Sequence, residues 1–269
     1  MRLKAMTSPC ASSTTSLLRR AIIPNRDSEY DKLGDLVNDA RLAGMIDWDH
    51  IVDRTRQVRA NNHWDSPADI VAACANQFQI DKWASQDNYV ECWIEKDALV
   101  GILEVACDPL DIPYFSCRGY TSQTGMWGAA MRLLKQHNLG KALYIIHLGD
   151  HDPSGIDMTR DIEDRLNLFL RHHVGHDVEI NRIALNMPQI EQYAPPPNPA
   201  KLTDSRCKGY MERFGDESWE LDALEPAVLT ALIQEAVASL RNQNSWDKSM
   251  SVETAHRKTL SRVASRLRA

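Results

Sequence analysis

The chain lacks several features that would place it at once. Its 269 residues include six cysteines, at 10, 74, 92, 107, 117 and 207, and no two form a Cys-x-x-Cys pair. That argues against a zinc module or a disulfide framework and for a reducing, cytoplasmic setting. No apolar run approaches the ~18 residues a membrane span requires, so no membrane partner is expected. There is no Gly-x-x-x-x-Gly-Lys-[Ser/Thr] loop to cradle nucleotide phosphates, and no internal repeat. Overall positive charge is missing too. The formal net charge is -6, which excludes a globally basic nucleic-acid binder but not a local basic patch.

The rest of the composition is ordinary for a folded chain, with 43% hydrophobic and 25% charged residues. It suits one large domain or two smaller ones. Residues 1–20 carry Arg2, Lys4, Arg19 and Arg20, no acid, and many Ser and Thr. They read as a disordered leader, and their composition resembles a transit peptide.

Residues 21–85 read as a small, mostly helical unit. Leu33, Leu36, Val37 and Ala40 share a face in a helix over 28–43, with Ser28 as N-cap and Gly44 as stop. An extended segment is expected at 45–49, and a helix from Ser66-Pro67 to about Trp83.

Beyond Tyr89 strands and helices alternate. Strands are expected at 89–94, 112–116, 142–148 and 178–185, and helices at 96–106, 122–138 and 155–172. Single helices between strands imply an α/β fold with a parallel, Rossmann-like four-stranded sheet flanked by helices, over 86–195. Residues 194–199 (APPPNP) read as a stiff linker. A C-terminal extension over 196–240 carries a helix at 219–240, and 241–269 is a tail with seven basic residues against two acidic ones. The tail is expected to be a basic helix, either touching nucleic acid or simply solvated.

The stretch from Tyr144 to Gly155 (YIIHLGDHDPSG) carries the chemistry. A buried strand delivers Asp150 and Asp152 to its carboxyl end, where open α/β sheets place their sites. The first strand delivers Glu95 in the same way. If these strands are neighbours, three carboxylates converge. Such a group repels itself unless a cation lies between, and acceptor-only oxygens suit Mg²⁺, or Mn²⁺ in its place.

The bland readings stand beside this one. Asp150 and Asp152 could form a helix N-cap and Asx turn, and Glu95 a first-turn carboxylate. His147 reads as a core histidine, and His151 as exposed between the aspartates. His172, His173 and His176 suit a helix end. Glu220 and Asp222 either complete a second metal site or cap the next helix. Arg54 and Arg56 either track phosphates or pair with Asp47, Asp49 and Asp53. Trp48, Trp64, Trp83, Trp93, Trp127 and Trp219 read as packing anchors.

A strand-terminal Glu95-Lys96, followed by Gly149-Asp150-His151-Asp152-Pro153-Ser154-Gly155, resembles the Toprim domain of topoisomerases, bacterial primases and several nucleases. The likeness is nearest to the topoisomerase VI A subunit and its meiotic double-strand-break relative. The turn Cys117-Arg118-Gly119-Tyr120-Thr121-Ser122 and the segment Trp219–Pro226 are similar to that family as well, so the resemblance spans roughly 86–240.

The resemblance implies Mg²⁺-dependent phosphodiester chemistry on DNA. Asp150 and Asp152 would hold the metal, and Glu95 would share it or act as general acid/base. Arg118 and Lys96 would contact phosphate, with Ser122 beside them. It also implies a homodimer, since cutting two strands needs two sites, and a nucleoid-associated protein.

The departure lies at the front. The family's nucleophilic tyrosine belongs to a winged-helix domain, of which 21–60 resembles only the back half. Tyr30 is the only tyrosine before Tyr89, and it stands among Asp27, Glu29 and Asp31. Hydrolysis by metal-activated water therefore heads the expectations. A transesterase component with an ATPase partner subunit, a non-catalytic nucleic-acid-binding or regulatory module, and a primase-like nucleotidyl transferase are the alternatives.

Overall fold

A computed structural model describes residues 27–48, 60–174, 178–200 and 202–268. Four strands form one parallel sheet: β1 (Asn88–Ile94), β2 (Tyr114–Ser116), β3 (Ala142–Leu148) and β4 (Glu179–Ala184), in the order β2-β1-β3-β4. The expected α/β architecture is present, and β1 and β3 are neighbours along their whole length. Both are paired on two sides and buried on two faces. That is why Cys92-Trp93-Ile94 and Ile145-Ile146-His147-Leu148 read as continuous buried runs.

β2 is an edge strand and shorter than expected. Pro113 has no N–H for the ladder, although its carbonyl accepts from the Cys92 N–H at 3.0 Å.

Alternation sorts the strand residues between two cores. Cys92, Ile94, Ile146 and Leu148 face Leu103 and Ala106 of α3 (Val100–Cys107) and Leu229, Ile233 and Val237 of α8 (Pro226–Leu240). Trp93, Leu143 and Ile145 face Met126, Ala130 and Leu133 of α4 (Gln123–His137) and Ile162, Leu166 and Leu170 of α5 (Pro153–Leu170). Each fully buried Leu or Ile contributes roughly 1.5–3 kcal/mol. The 196–240 segment thus fills one of the two cores.

Several boundaries differ from expectation. The helix expected at 96–106 begins as a 3₁₀ turn at Asp97–Leu99. The helix expected from 219 starts only at Pro226, whose fixed φ suits a first helical turn. Residues before it are drawn into other pairings. β6 (Glu217–Ser218) pairs antiparallel with β5 (Asn198–Pro199), and Trp219 bridges to His151. The Pro-rich 194–199 stretch, which follows α6 (Met187–Tyr193), therefore ends in a paired strand.

On the N-terminal side, α1 (Asp27–Leu42) is present, but it already includes Ser28, so Ser28 is not its N-cap. Residues 43–48 form turns, not an extended segment. α2 (Pro67–Gln77) is capped by Ser66, whose hydroxyl accepts from the Asp69 N–H at 3.2 Å. It stops short of Trp83, which turns into the core and donates its indole N–H to Leu110 O at 2.8 Å. The basic tail is a helix, α9 (Gln243–Arg268), which packs along α2 and buries Trp246, Glu253 and Ala264, with Trp246 edge-on to Trp83. Glu253 accepts from the Ile80 N–H and pairs with Lys82 at 2.9 Å.

Candidate metal centre

The order β2-β1-β3-β4 reverses the winding direction between β1 and β3, and a doubly wound sheet opens a crevice outside the strand ends at such a point. Glu95 and Asp150 leave the two strands there. The ladder carries on past β1, with the Glu95 N–H donating to Leu148 O at 2.9 Å. The Asp150 N–H then donates to Glu95 Oε2 at 2.9 Å, so the carboxylate of one strand clamps the exit of the other.

Two glycines permit this crowding. A Cβ on Gly149 would lie 3.0 Å from both Glu95 Oε2 and Arg182, and one on Gly155 would lie 2.2 Å from Asp150 O.

Asp150 Oδ1 accepts from the Leu221 N–H at 2.7 Å and faces Lys96 Nζ at 3.1 Å. Lys96 also reaches Asp222 Oδ1 at 3.0 Å and Glu220 Oε2. Neither acid caps a helix by its side chain. Both hold the lysine, and this corrects the capping expectation. Asp152 does cap α5, its Oδ1 accepting from the Gly155 N–H at 2.6 Å and from Ser154 Oγ at 2.8 Å.

Arg182 of β4 lies beneath the cluster and was not singled out from sequence. Its guanidinium donates to the carbonyls of Gly149, Asp150 and Gly155 at 3.0, 2.6 and 3.0 Å, and to Thr159 Oγ1 at 2.9 Å. A bulge between the β3–β4 pairs at His147 and Leu148 lies beside it. Little in the sequence signals it, because a lone cation in the half-buried edge strand β4 reads as solvent-facing.

Glu95, Asp150 and Asp152 expose 8, 5 and 6% of their surfaces. Burial pushes the Glu95 carboxyl up to about 6, and the Asp152 charge adds to this while the Asp150 N–H opposes it. Burial also holds Asp150 well above the usual carboxylate range, against the pull of Lys96. Burial alone would lower Lys96. The charges of Asp150, Asp222 and Glu220 more than offset it, so the ammonium is held firmly protonated.

The five carboxylates (Glu95, Asp150, Asp152, Glu220 and Asp222) outnumber the two cations Lys96 and Arg182. The formal excess is three negative charges, all on hard oxygen donors. Among the described residues, no three Asp, Glu, His or Cys side chains stand close enough to cage an ion unaided. Mg²⁺ does not need such a cage, because it keeps several waters and takes one or two protein carboxylates. The donor set therefore fits the ion.

The other expected site residues are dispersed. Arg118 sits on the rim with φ +53°, its side chain 74% exposed and its Nε 3.1 Å from Asp97 Oδ1. The turn around it stays beside Glu95, since the Gly119 N–H donates to Glu95 O at 3.2 Å. Ser122 caps α4, accepting from the Gly125 N–H at 3.1 Å. Arg54, Arg56 and His176, and the side chain of Tyr30, lie outside the described residues.

His151 is buried, not exposed as expected. Its ring packs among Tyr210 and Phe214 of α7 (Cys207–Phe214) and Trp219, with Nδ1 2.8 Å from the Tyr210 hydroxyl. His147 is a core histidine, as expected, with Nδ1 2.9 Å from Thr159 Oγ1. Of the six tryptophans read as anchors, Trp83, Trp93 and Trp219 are buried, whereas Trp48, Trp64 and Trp127 are 42–54% exposed.

Burial lowers the His147 pKa to about 3 and that of His151 to about 4, with the Arg182 charge acting the same way. The unfolded chain, with imidazoles near 6.5, therefore takes up these protons first as pH falls. The share of stability due to the neutral rings is complete above that value. It declines by about 1.4 kcal/mol per ring per pH unit below it, until the folded pKa is reached. Histidine-ring nitrogen NMR is expected to keep both rings in the neutral pattern between pH 7.5 and 5.5, with at most small displacements as neighbouring Glu95 titrates. Appearance of the imidazolium pattern for either ring in that window would contradict their neutral burial.

No protein-family model matches the chain, and no curated protein matches it in sequence.

Proposed function

We propose that this chain is a Toprim-type, Mg²⁺-dependent phosphodiesterase that cleaves DNA by hydrolysis. The observation that carries the reading is the hydrogen bond from the Asp150 N–H to Glu95 Oε2, at the switch point of a parallel sheet. Mg²⁺, or Mn²⁺, when bound supplies the charge that draws in a phosphate and acidifies water. Asp150 and Asp152 would hold the ion. Glu95, titrating near 6, is mostly ionised at neutral pH and is placed to share the ion or to take the proton of an attacking water. Lys96 pairs with Asp150, Glu220 and Asp222, and Arg118, exposed on the rim, would turn from Asp97 to a phosphate oxygen.

Hydrolysis is preferred to attack by tyrosine for a physical reason. Tyr120 and Tyr210 border the site, and burial pushes both phenols up, with a carboxylate beside each adding to the effect. A neutral phenol is a weak nucleophile. The rival reading is a non-catalytic module, and the Lys96 ion pairs favour it, because they already neutralise part of the cluster.

Nicking of supercoiled plasmid by the purified chain in Mg²⁺ or Mn²⁺ tests the proposal. Asp150→Asn and Glu95→Gln are each expected to lower the nicking rate by about 100-fold or more, with circular dichroism unchanged. Cleavage that survives both substitutions sinks the site. Salt-sensitive binding without cleavage favours the non-catalytic module, and a DNA–protein covalent adduct favours the transesterase.

A further inference from the structure

Helix α9 stands out on an acidic chain. Its 26 residues hold six Lys or Arg against Asp247 and Glu253. Two of the cations are engaged at the α2 side. Arg257 pairs with Glu253 at 3.1 Å and donates to Phe78 O at 2.7 Å, and Arg268 pairs with Asp69 at 2.7 Å. The other four, Lys248, Lys258, Arg262 and Arg266, are exposed and make no ion pair among the described residues.

At 100° per residue these four fall within one narrow stripe. The buried residues Trp246, Glu253 and Ala264 fall on the opposite side, with Trp246 against Trp83 and Glu253 on Ile80 and Lys82. Ser251, Ala255 and Thr259 lie between the cations. Thr259 donates its hydroxyl to Ala255 O at 3.0 Å, and Ser261 and Ser265 on the stripe's flank likewise donate to carbonyls one turn back. The hydroxyls of Thr259, Ser261 and Ser265 are thus spent on the helix itself. The one acid close to the stripe, Asp247, is held by Gln243 at 2.7 Å.

From Lys248 to Arg266 the stripe runs about 27 Å at 1.5 Å per residue. That equals the rise of about eight base pairs of B-form DNA at 3.4 Å each. The stripe carries no aromatic side chain on which unpaired bases could stack, so it suits the regular phosphate rows of a duplex better than a single strand. The exposed Val252, Val263 and Leu267 lie along one side of the stripe and not among its cations, and valines of this size give little depth of insertion into a bilayer.

We propose that the outer face of α9 is a docking surface for the phosphate backbone of duplex nucleic acid, separate from the carboxylate cluster. The start of the helix lies far from the cluster. Asn242, just before α9, and Leu240, the last residue of α8, are tied to Gln86 and Asn88 at the entry to β1, the end of the strand away from Glu95. The seven residues of β1 put about 23 Å between those ends. The surface shares a ligand class with the proposed reaction but none of its residues, and stands or falls by itself.

Fluorescence anisotropy of a labelled 20-base-pair duplex, titrated with the full chain over a KCl series, tests it. The variant Lys248→Gln/Lys258→Gln/Arg262→Gln/Arg266→Gln is expected to bind about 100-fold or more weakly at low salt. Its slope of log affinity on log salt is expected to be shallower by about 3 to 4. Glutamine keeps helix propensity, so circular dichroism and thermal midpoint are expected to match the parent. Arg262→Glu alone is expected to weaken binding about tenfold, which keeps the test open if the quadruple variant misfolds. Equal affinity and slope in parent and folded variants overturn the proposal. So does a parent chain that ignores the duplex but binds vesicles containing phosphatidylserine. Failure of plasmid nicking leaves it intact, because the readout is binding alone.

Discussion

Gly155→Ala is expected to lower folding stability by about 3 kcal/mol or more and to take the carboxylate cluster apart. The new methyl carbon would lie 2.2 Å from Asp150 O, 2.9 Å from its carbonyl carbon and 3.0 Å from Glu95 Oε2. Two of those atoms are backbone, so no rotamer change relieves the clash. Nor is the residue able to retreat. Its N–H is held by Asp152 and its carbonyl by Arg182. The chain must therefore separate the β3 exit from the first turn of α5, at the upper end of ordinary overpacking costs or beyond. Gly128→Ala is the control, with nothing within 4 Å of the new atom. In the middle of α4 it should stabilise by up to ~1 kcal/mol. Urea unfolding of the two variants measures both. A Gly155→Ala protein as stable as Gly128→Ala would mean that the close approach at Asp150 does not exist.

Lys96→Met is the second large effect. It removes one positive charge and leaves Asp150, Glu220 and Asp222 facing one another without their shared counter-ion. Breaking a buried pair costs about 3–5 kcal/mol, and the low end applies here because the Glu220 side chain keeps 35% of its surface in water. The distinctive outcome is the response to metal. With the ammonium gone, a divalent cation is the natural replacement, and at a hundred times its dissociation constant it restores about 2.7 kcal/mol. In a chain of this size that raises the thermal midpoint by roughly 5–10 °C. The parent, whose lysine already holds these acids, should gain clearly less. Melting curves with and without MgCl₂ decide it. Equal gains in parent and variant, or none in either, would show that lysine and metal do not compete for the same carboxylates.

The central strands were legible in the sequence because they are buried on both faces, and nothing but apolar side chains suits such positions. β3 falls where the apolar run Ala142–Leu148 places it. Glu95 and Asp150 could be named because a buried strand must end in a polar residue somewhere, and both strands end in an acid. Residues whose roles depend on distant partners were not legible in the same way. Lys96 meets Glu220 across 124 positions, a pairing with no local period to betray it. His151 reads as exposed because its neighbours are Asp150 and Asp152, yet Tyr210, Phe214 and Trp219 close over it. Arg182 looks like a solvent-facing strand residue, because the carbonyls it serves belong to a loop on another strand. The start of α8 was misplaced for a similar reason. Residues 217–219 have helix-compatible side chains but spend their backbone on β5 and His151.

The bridge between His151 and Trp219, with the Leu221 N–H on Asp150, also sets the order in which the cluster is completed during synthesis. Glu95, Asp150 and Asp152 leave the ribosome well before the strip that locks them, because Trp219 comes 67 residues after Asp152. Until that strip arrives, Asp150 lacks the Leu221 amide, and Lys96 lacks two of its three acids. A nascent chain made only as far as residue 200 thus carries Glu95, Asp150 and Asp152 but not their fixed arrangement, so the site is completed only once the strip around Trp219–Asp222 has been made.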